Sequence, residues 1–302
     1  MKEYLFFFRV ITPMHIGVGS GIGHIDLPIY REVPTNFPAI PASSIKGVLR
    51  QRWLESTLKH SGKGSLKEYD EALEKGEDES PCVKLSSKIF GSQKGEGSLV
   101  VYDGRILFFP VRSVKGIFAY VTCPYVLKRF EQDTNIAVTM SDYENLKDGE
   151  TIVLNSEEIV YEKGDKLYLV LEEFAFSVCE RRNDQLWNLA KKIGIRPKRI
   201  AVVSDSVFSH MVESYTEVQT HTKIDLTTGT VEEGALWTEE YVPPETIFYV
   251  KMQLLNSGQL PDCEEVKFSS WLSQEVKALM IGGNTTTGKG LVEVVNYDEK
   301  AT

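Results

Sequence analysis

The 302-residue sequence predicts an α+β fold, a sheet with helices at intervals, and three observations carry that reading. Residues 3 to 12, Glu-Tyr-Leu-Phe-Phe-Phe-Arg-Val-Ile-Thr, are aromatic and β-branched and end at Pro13, the pattern of a strand buried on both faces. Ile45, Val48, Leu49, Trp53, Leu54 and Leu58 recur at helical spacing. Residues 215 to 242 alternate through Val218, Thr220, Thr222, Ile224 and Leu226 to a Thr227-Thr228-Gly229-Thr230 turn, then return through Val231, Leu236, Trp237 and Tyr241. That is a long β-hairpin, closed by Pro243-Pro244.

The remaining elements follow in order. A long loop with little regular pattern runs from Pro13 to Ala42, and Ser43 or Ser44 is expected to cap the helix after it. Residues 61 to 80 are acidic and weakly apolar, which predicts a mobile surface insertion. Cys82 to Phe90 reads as a short helix and Gly91 to Gly97 as a flexible loop. Leu99 to Tyr102 and Arg105 to Val111 read as two strands of a hairpin around Asp103-Gly104. Ile117 to Val121 is a strand and Tyr125 to Phe130 a helix, while residues 131 to 166 offer only short strand pieces. Lys166 to Val178 is a strand, and Asn183 to Ile193 a helix ending at Gly194. Strands at Ile200 to Val203, Ile247 to Leu255 and Leu291 to Val295, with helices at Asp205 to Val212 and Glu264 to Met280, complete one elaborated domain over residues 1 to 302.

Composition narrows the functional classes. A 42% hydrophobic content supports a large core, yet no apolar run nears the roughly 20 residues of a membrane span, and Met1-Lys2-Glu3 opens no signal-peptide pattern. The expectation is a cytoplasmic protein with no membrane partner. Cys82, Cys123, Cys179 and Cys263 are widely spaced, which argues for buried thiols over a zinc ribbon or a disulfide framework. Net charge is −9, but residues 1 to 60 carry seven Lys or Arg against four acids. One cationic face on an acidic subunit suits a polyanion bound within an assembly.

That cationic part contains the most specific stretch, residues 13 to 50. Glycines alternate at Gly17, Gly19, Gly21 and Gly23, His15 and His24 lie among them, and Asp26 follows in Ile25-Asp26-Leu27-Pro28-Ile29. Glycines admit close backbone approach, and a helix start followed by Lys46 and Arg50 suits phosphate. A carboxylate there is suited to coordinating a metal or orienting a ribose hydroxyl, although loop aspartates also serve as plain turn residues. Gly283 to Lys289 matches G-x-x-x-x-G-K, but Gly290 stands where magnesium needs a hydroxyl, and the order is helix, loop, strand. Nucleotide hydrolysis is thereby set aside, leaving a turn whose amides face a phosphodiester or a purely structural turn. His60, His210 and His221 show no metal-ligand spacing.

The opening strand, His15-Ile16-Gly17-x-Gly19, Ile25 to Ile29, Ser43-Ser44-Ile45-Lys46-Gly47-Val48-Leu49-Arg50, Gly234-Ala235-Leu236-Trp237 with Glu240-Tyr241-Val242-Pro243, and Gly282-Gly283 to Gly288-Lys289-Gly290 together resemble the RAMP superfamily of CRISPR proteins. Within it the chain is most similar to backbone subunits of the type III-B effector, the Cmr complex. The resemblance implies a ferredoxin-like (RRM-like) palm, finger insertions, and residues 215 to 242 as a thumb. It implies copies stacked in a helical filament along guide RNA, with other effector subunits, and a Mg²⁺- or Mn²⁺-dependent endoribonuclease that cuts complementary target RNA at six-nucleotide intervals. Asp26 would be the catalytic and metal-holding acid, with His15 and Glu233 as further catalytic candidates. Gly17, Gly19, Ser43, Ser44, Lys46, Arg50, Gly282, Gly283, Gly288, Lys289 and Gly290 would hold guide phosphates without reading sequence. A non-catalytic guide-binding backbone, the equivalent type III-A subunit and a guide-processing endonuclease remain alternatives.

Overall fold

The structure, a computed structural model, describes residues 1–302 except 22–23, 77–79, 140, 257–259, 262, 264–266 and 298–302, and it leaves out the side chains of 142, 144 and 233. The chain opens with β1 (Lys2–Val10), whose Phe6, Phe7 and Phe8 are all buried, as a strand covered on both faces requires. β2 (Ala39–Ile40) leads into a helical layer of α1 (Ala42–Ser61), α2 (Leu66–Lys75) and α3 (Pro81–Phe90). β3 (Leu99–Val101), β4 (Gly104–Ser113) and β5 (Ile117–Thr122) precede α4 (Pro124–Thr134). Next come β6 (Glu150–Val153), β7 (Tyr161–Lys163), β8 (Lys166–Leu171), β9 (Phe174–Glu180), α5 (Asp184–Lys192), β10 (Ile200–Val202) and α6 (Asp205–Ser214). β11 (Glu217–Ile224) and β12 (Val231–Tyr241) form the hairpin, and β13 (Ile247–Leu254), β14 (Ala278–Met280) and β15 (Leu291–Asn296) finish the fold.

β1 is central, paired antiparallel with β13 on one side and β15 on the other. The sheet order β14-β15-β1-β13-β4 places α1 in the connection that leaves β1. At β4 the sheet turns into a second body. β4, β5, β10, β6, β9 and β8 pair in succession, and Ser113 opposite Leu171 returns β8 to β4, closing a six-strand barrel. Its β5–β10 and β6–β9 pairs are parallel and the rest antiparallel.

Several expectations change. The Asp103-Gly104 hairpin does not form: β3 and β4 both pair with β13, at Met252 to Leu254 and Ile247 to Tyr249. Gly104 instead sits opposite Ile40, where an added Cβ would lie 3.0 Å from the Ile40 side chain, so glycine serves close strand approach. Residues 166–178 fold back as the β8–β9 hairpin through Glu172 at φ +48°. The 264–280 helix reduces to Phe268–Ser270 and a π-helical turn, Trp271–Glu275, because Ala278–Met280 pairs with β15 as an edge strand; residues 264–266 lie outside the described part. The acidic insertion holds α2, capped by Ser65, with Tyr69 and Leu73 fully buried against its neighbours. Of the four cysteines, Cys82 and Cys263 form a disulfide with Cα atoms 4.9 Å apart, while Cys123 is a buried thiol and Cys179 a half-buried one. Among the described residues no helix is long and apolar enough to cross a membrane.

Candidate active site and nucleic-acid groove

The hairpin emerges from the body as its own two-stranded sheet, with Val218, Leu226, Val231 and Leu236 exposed along it. A free ribbon of this length is marginal, so its base must be fixed. Two consecutive glutamates do this, and both are buried: Glu239 is 6% and Glu240 3% exposed. Glu240 accepts from Arg31 Nη2 at 2.6 Å, Thr216 Oγ1 at 2.7 Å and the Ile29 amide at 3.0 Å. Glu239 accepts from Trp237 Nε1 at 2.8 Å, Tyr241 Oη at 2.5 Å and Asn284 Nδ2 at 2.6 Å. Burial alone would push the Glu239 carboxyl up, but donation from Tyr241, Trp237 and Asn284, with His221 nearby, leaves it below its ordinary value. The reciprocal effect, burial and the bond to Glu239, pushes Tyr241 up to about 12.

The glycine loop is laid between this base and the terminal turn. Gly17 bridges to Ile29, Leu27 pairs beside Glu239, and Met14 bridges to Val242. Asp26 is exposed and joined to Thr238 by three bonds: its Oδ2 accepts from the Thr238 amide at 2.8 Å and hydroxyl at 2.9 Å, and its amide donates to that hydroxyl at 3.0 Å. The Thr238 amide first, then its hydroxyl, hold the Asp26 carboxyl below the usual carboxylate range. Oδ1 takes no part in these bonds. Among the described residues no group of three or more His, Cys, Asp or Glu stands ready to hold a metal. A lone exposed carboxylate supplies at most one residue's ligands to a hard divalent cation such as Mg²⁺ or Mn²⁺.

His15 is 8% exposed, and its Nδ1 donates to the Glu240 carbonyl at 2.7 Å, since a carbonyl can only accept. Its ring tilts against Tyr241, so it is built into the hairpin base. Glu233 lies on β12, but its side chain is outside the described residues. The terminal turn is not an open amide cradle. The amides of Gly283 and Gly290 donate to the His15 and Pro13 carbonyls, and those of Gly288 and Lys289 to Thr285 and Asn284. Lys289 Nζ reaches Gln219 Oε1 at 3.0 Å and lies over the Tyr241 ring. This turn therefore clasps the hairpin, the structural alternative for its amides.

Ser43, Lys46 and Arg50 are brought together with Glu74, Gly91 and Leu99 along an open groove of about 990 Å³. Ser43 is exposed and Ser44 half-buried, yet neither caps α1; Pro41 holds the cap position, and Asp103 Oδ1 accepts from the first helical amide, Ala42, at 2.7 Å. A carboxylate thus occupies the helix start where phosphate was expected. Lys46 Nζ donates to the Leu99 carbonyl at 2.9 Å and burial lowers its pKa. Arg50 bridges Asp70 at 2.6 Å and Glu74 at 3.2 Å on α2.

A family model of the RAMP superfamily matches residues 7–293. The chain belongs to the RAMP superfamily. This RAMP chain is 36% identical over 309 aligned residues to the CRISPR system Cmr endoribonuclease Cmr4 of Pyrococcus furiosus, covering 97% of the chain and 95% of that relative. It resembles the crystal structure of oligomeric Cmr4 from Pyrococcus furiosus with a TM-score of 0.63 at 32% identity, covering 98% of each chain. A subunit in the cryo-EM structure of the type III-B Cmr-beta complex bound to cognate target RNA shares the fold, with a TM-score of 0.71 at 22% identity over 99% of each chain. The sequence does not show Thr238, Glu239 and Asn284 as a unit, because they lie up to 46 positions apart and only the Gly-Ala-Leu-Trp to Tyr-Val-Pro segment marks the hairpin base.

Proposed function

We propose that this chain is a guide-RNA-binding backbone subunit of a cytoplasmic type III-B CRISPR effector and that it cuts complementary target RNA at Asp26. The observation that carries the proposal is the Asp26 carboxylate, exposed at the foot of the projecting hairpin and fixed to it through Thr238. The antiparallel order β15-β1-β13-β4, with α1 after β1, supports a ferredoxin-like palm, with α1 to α3 as fingers and the hairpin as thumb. The 36% identity to a Cmr endoribonuclease supports the nuclease, and the likeness to an oligomeric Cmr4 supports copies stacked into a filament with other subunits.

Guide RNA lies along the groove of Ser43, Lys46 and Arg50, read by its backbone while base pairing selects the target. The exposed apolar residues of the thumb wedge one nucleotide out of the stack per copy, giving the six-nucleotide repeat. The displaced nucleotide frees its ribose 2′-hydroxyl to line up with the adjacent phosphorus. Attack there forms the O2′–P bond as the P–O5′ bond breaks; the 2′-hydroxyl proton passes to solvent and the departing 5′-oxygen takes one up, leaving a 2′,3′-cyclic phosphate and a 5′-hydroxyl. Asp26, ionised and held by Thr238, is the group that orients this junction and would hold Mg²⁺ or Mn²⁺; bound there, the cation supplies charge stabilisation at the phosphate. His15 orients the thumb base behind it, and Glu233 remains a candidate on β12.

The test is Asp26→Asn in a complex assembled with guide and sister subunits. Cleavage is expected to fall by roughly 100-fold or more with target binding retained. Undiminished cutting at regular intervals sinks the role of Asp26, and a wild-type complex that binds target without ever producing fragments establishes a structural backbone instead.

A further inference from the structure

We infer, resting on the role proposed for Asp26, that Thr238 is the positioning residue of that carboxylate and fixes it to the foot of the thumb. Within the loop the Gly21 amide donates to the Asp26 carbonyl at 2.8 Å, which holds the backbone and leaves the carboxylate to other partners. The order of the side chain comes from β12. Thr238 supplies both its amide and its hydroxyl to Oδ2, and the same hydroxyl accepts from the Asp26 amide. On either side the loop is laced to the strand, with the Leu27 amide donating to the Thr238 carbonyl at 3.0 Å and the Glu240 amide to the Leu27 carbonyl at 3.0 Å.

Thr238 cannot shift along the strand, because the next two residues are the buried Glu239 and Glu240, each held by three donors. Two Thr238 donors, the amide and the hydroxyl, converge on Oδ2, which locates that oxygen and keeps Oδ1 out of the pairing. Asp26 thereby keeps a fixed place at the foot of the thumb. A threonine hydroxyl that both donates and accepts is needed; valine keeps the shape and the backbone amide bond but loses the two hydroxyl bonds, whereas serine keeps all three.

The experiment uses complexes assembled with guide RNA and sister subunits from wild-type, T238V, T238S, D26N and D26N/T238V chains. Target binding, cleavage rate at saturating Mg²⁺, the Mg²⁺ concentration for half-maximal rate, and hydrogen exchange over residues 24–30 in metal-free complex are measured. T238V should bind target normally, cut roughly tenfold more slowly, require more Mg²⁺ and exchange faster over that segment. T238S should restore every readout, and T238V should change nothing further in the D26N background. Wild-type cutting by T238V, or T238S as slow as T238V, overturns the inference. If D26N itself cuts at the wild-type rate, the underlying role of Asp26 fails, whatever Thr238 does.

Discussion

Asn284 donates its side-chain amide to the Glu239 carboxylate across 2.6 Å, so the terminal glycine turn and the base of the hairpin are one polar unit. The same amide reaches Tyr241 Oη at 3.0 Å, and the Tyr241 hydroxyl donates to Glu239. Asn284, Tyr241 and the Trp237 indole N–H all need Glu239 as an acceptor. Glu239→Gln places a second amide among donors and should cost roughly 1–3 kcal/mol, loosening the hairpin so that trypsin nicks Lys223 faster at neutral pH. Acid should act in the same way. The Glu239 pKa is depressed in the folded chain, so its stabilisation is present above the ordinary value of 4.5 and is lost as pH falls through the lower folded value. The Trp237 indole N–H resonance, which reports its bond to Glu239, should hold steady down to that range and shift below it.

Arg31 and Glu240 form the second anchor, a 2.6 Å pair with side chains 15% and 4% exposed. Arg31 also donates to the Asn36 and Val212 carbonyls, linking the loop to the end of α6. Arg31→Met leaves a buried carboxylate without its cation and should destabilise the chain by roughly 3 kcal/mol in chemical denaturation. Adding Glu240→Met should recover part of that loss, because the unpaired buried charge is then gone. An additive double variant would show that the pair is not what fixes this corner.

Gly282 and Gly288 both have positive φ, +93° and +80°, but only one of them is walled in. A Cβ on Gly282 would lie 2.2 Å from the His15 carbonyl oxygen, whereas one on Gly288 meets nothing within 4 Å. Gly288→Ala should therefore cost about 1 kcal/mol, the strain of the left-handed backbone alone. Gly282→Ala must also push apart the contact through which Gly283 binds His15, and a loss of roughly 3 kcal/mol or more is expected. Denaturation midpoints of the two variants, compared directly, check the difference.

The elements legible in the sequence were those whose signal is local. β1, α1, α5, α6, the hairpin and β13 each carry their own periodicity or cap, such as Asn183 accepting from Leu186 or Ser204 from Val207. The barrel was hidden because its closure is a single pairing, Ser113 with Leu171, between strands that look unremarkable alone. The Cys82–Cys263 bond spans 181 residues, a separation at which spacing says nothing about geometry. The site divides similarly. Asp26 could be singled out from its glycine-rich surroundings, but Thr238 reads as an ordinary β-former until the fold sets it beside the loop. Lys46 and Arg50 were visible as cations; what they already hold depends on how α2 and β3 pack on α1.

That last contact makes a prediction about RNA affinity. Arg50 stands in the groove with its guanidinium shared between Asp70 and Glu74, which occupy the position a phosphate would take. The pairs are partly exposed, so they are screened by salt and cheap to exchange. An RNA strand bound in this groove would gain from Arg50 only the difference between phosphate and the two carboxylates. Removing the competitors with D70N/E74Q should raise the affinity of the chain for single-stranded RNA several-fold and steepen its salt dependence by about 0.7 in log–log slope, one additional phosphate contact. Arg50→Ala should weaken binding and erase the gain when combined with D70N/E74Q. Fluorescence anisotropy across a salt series distinguishes this from a general reduction in negative charge, because the latter would persist in the triple variant.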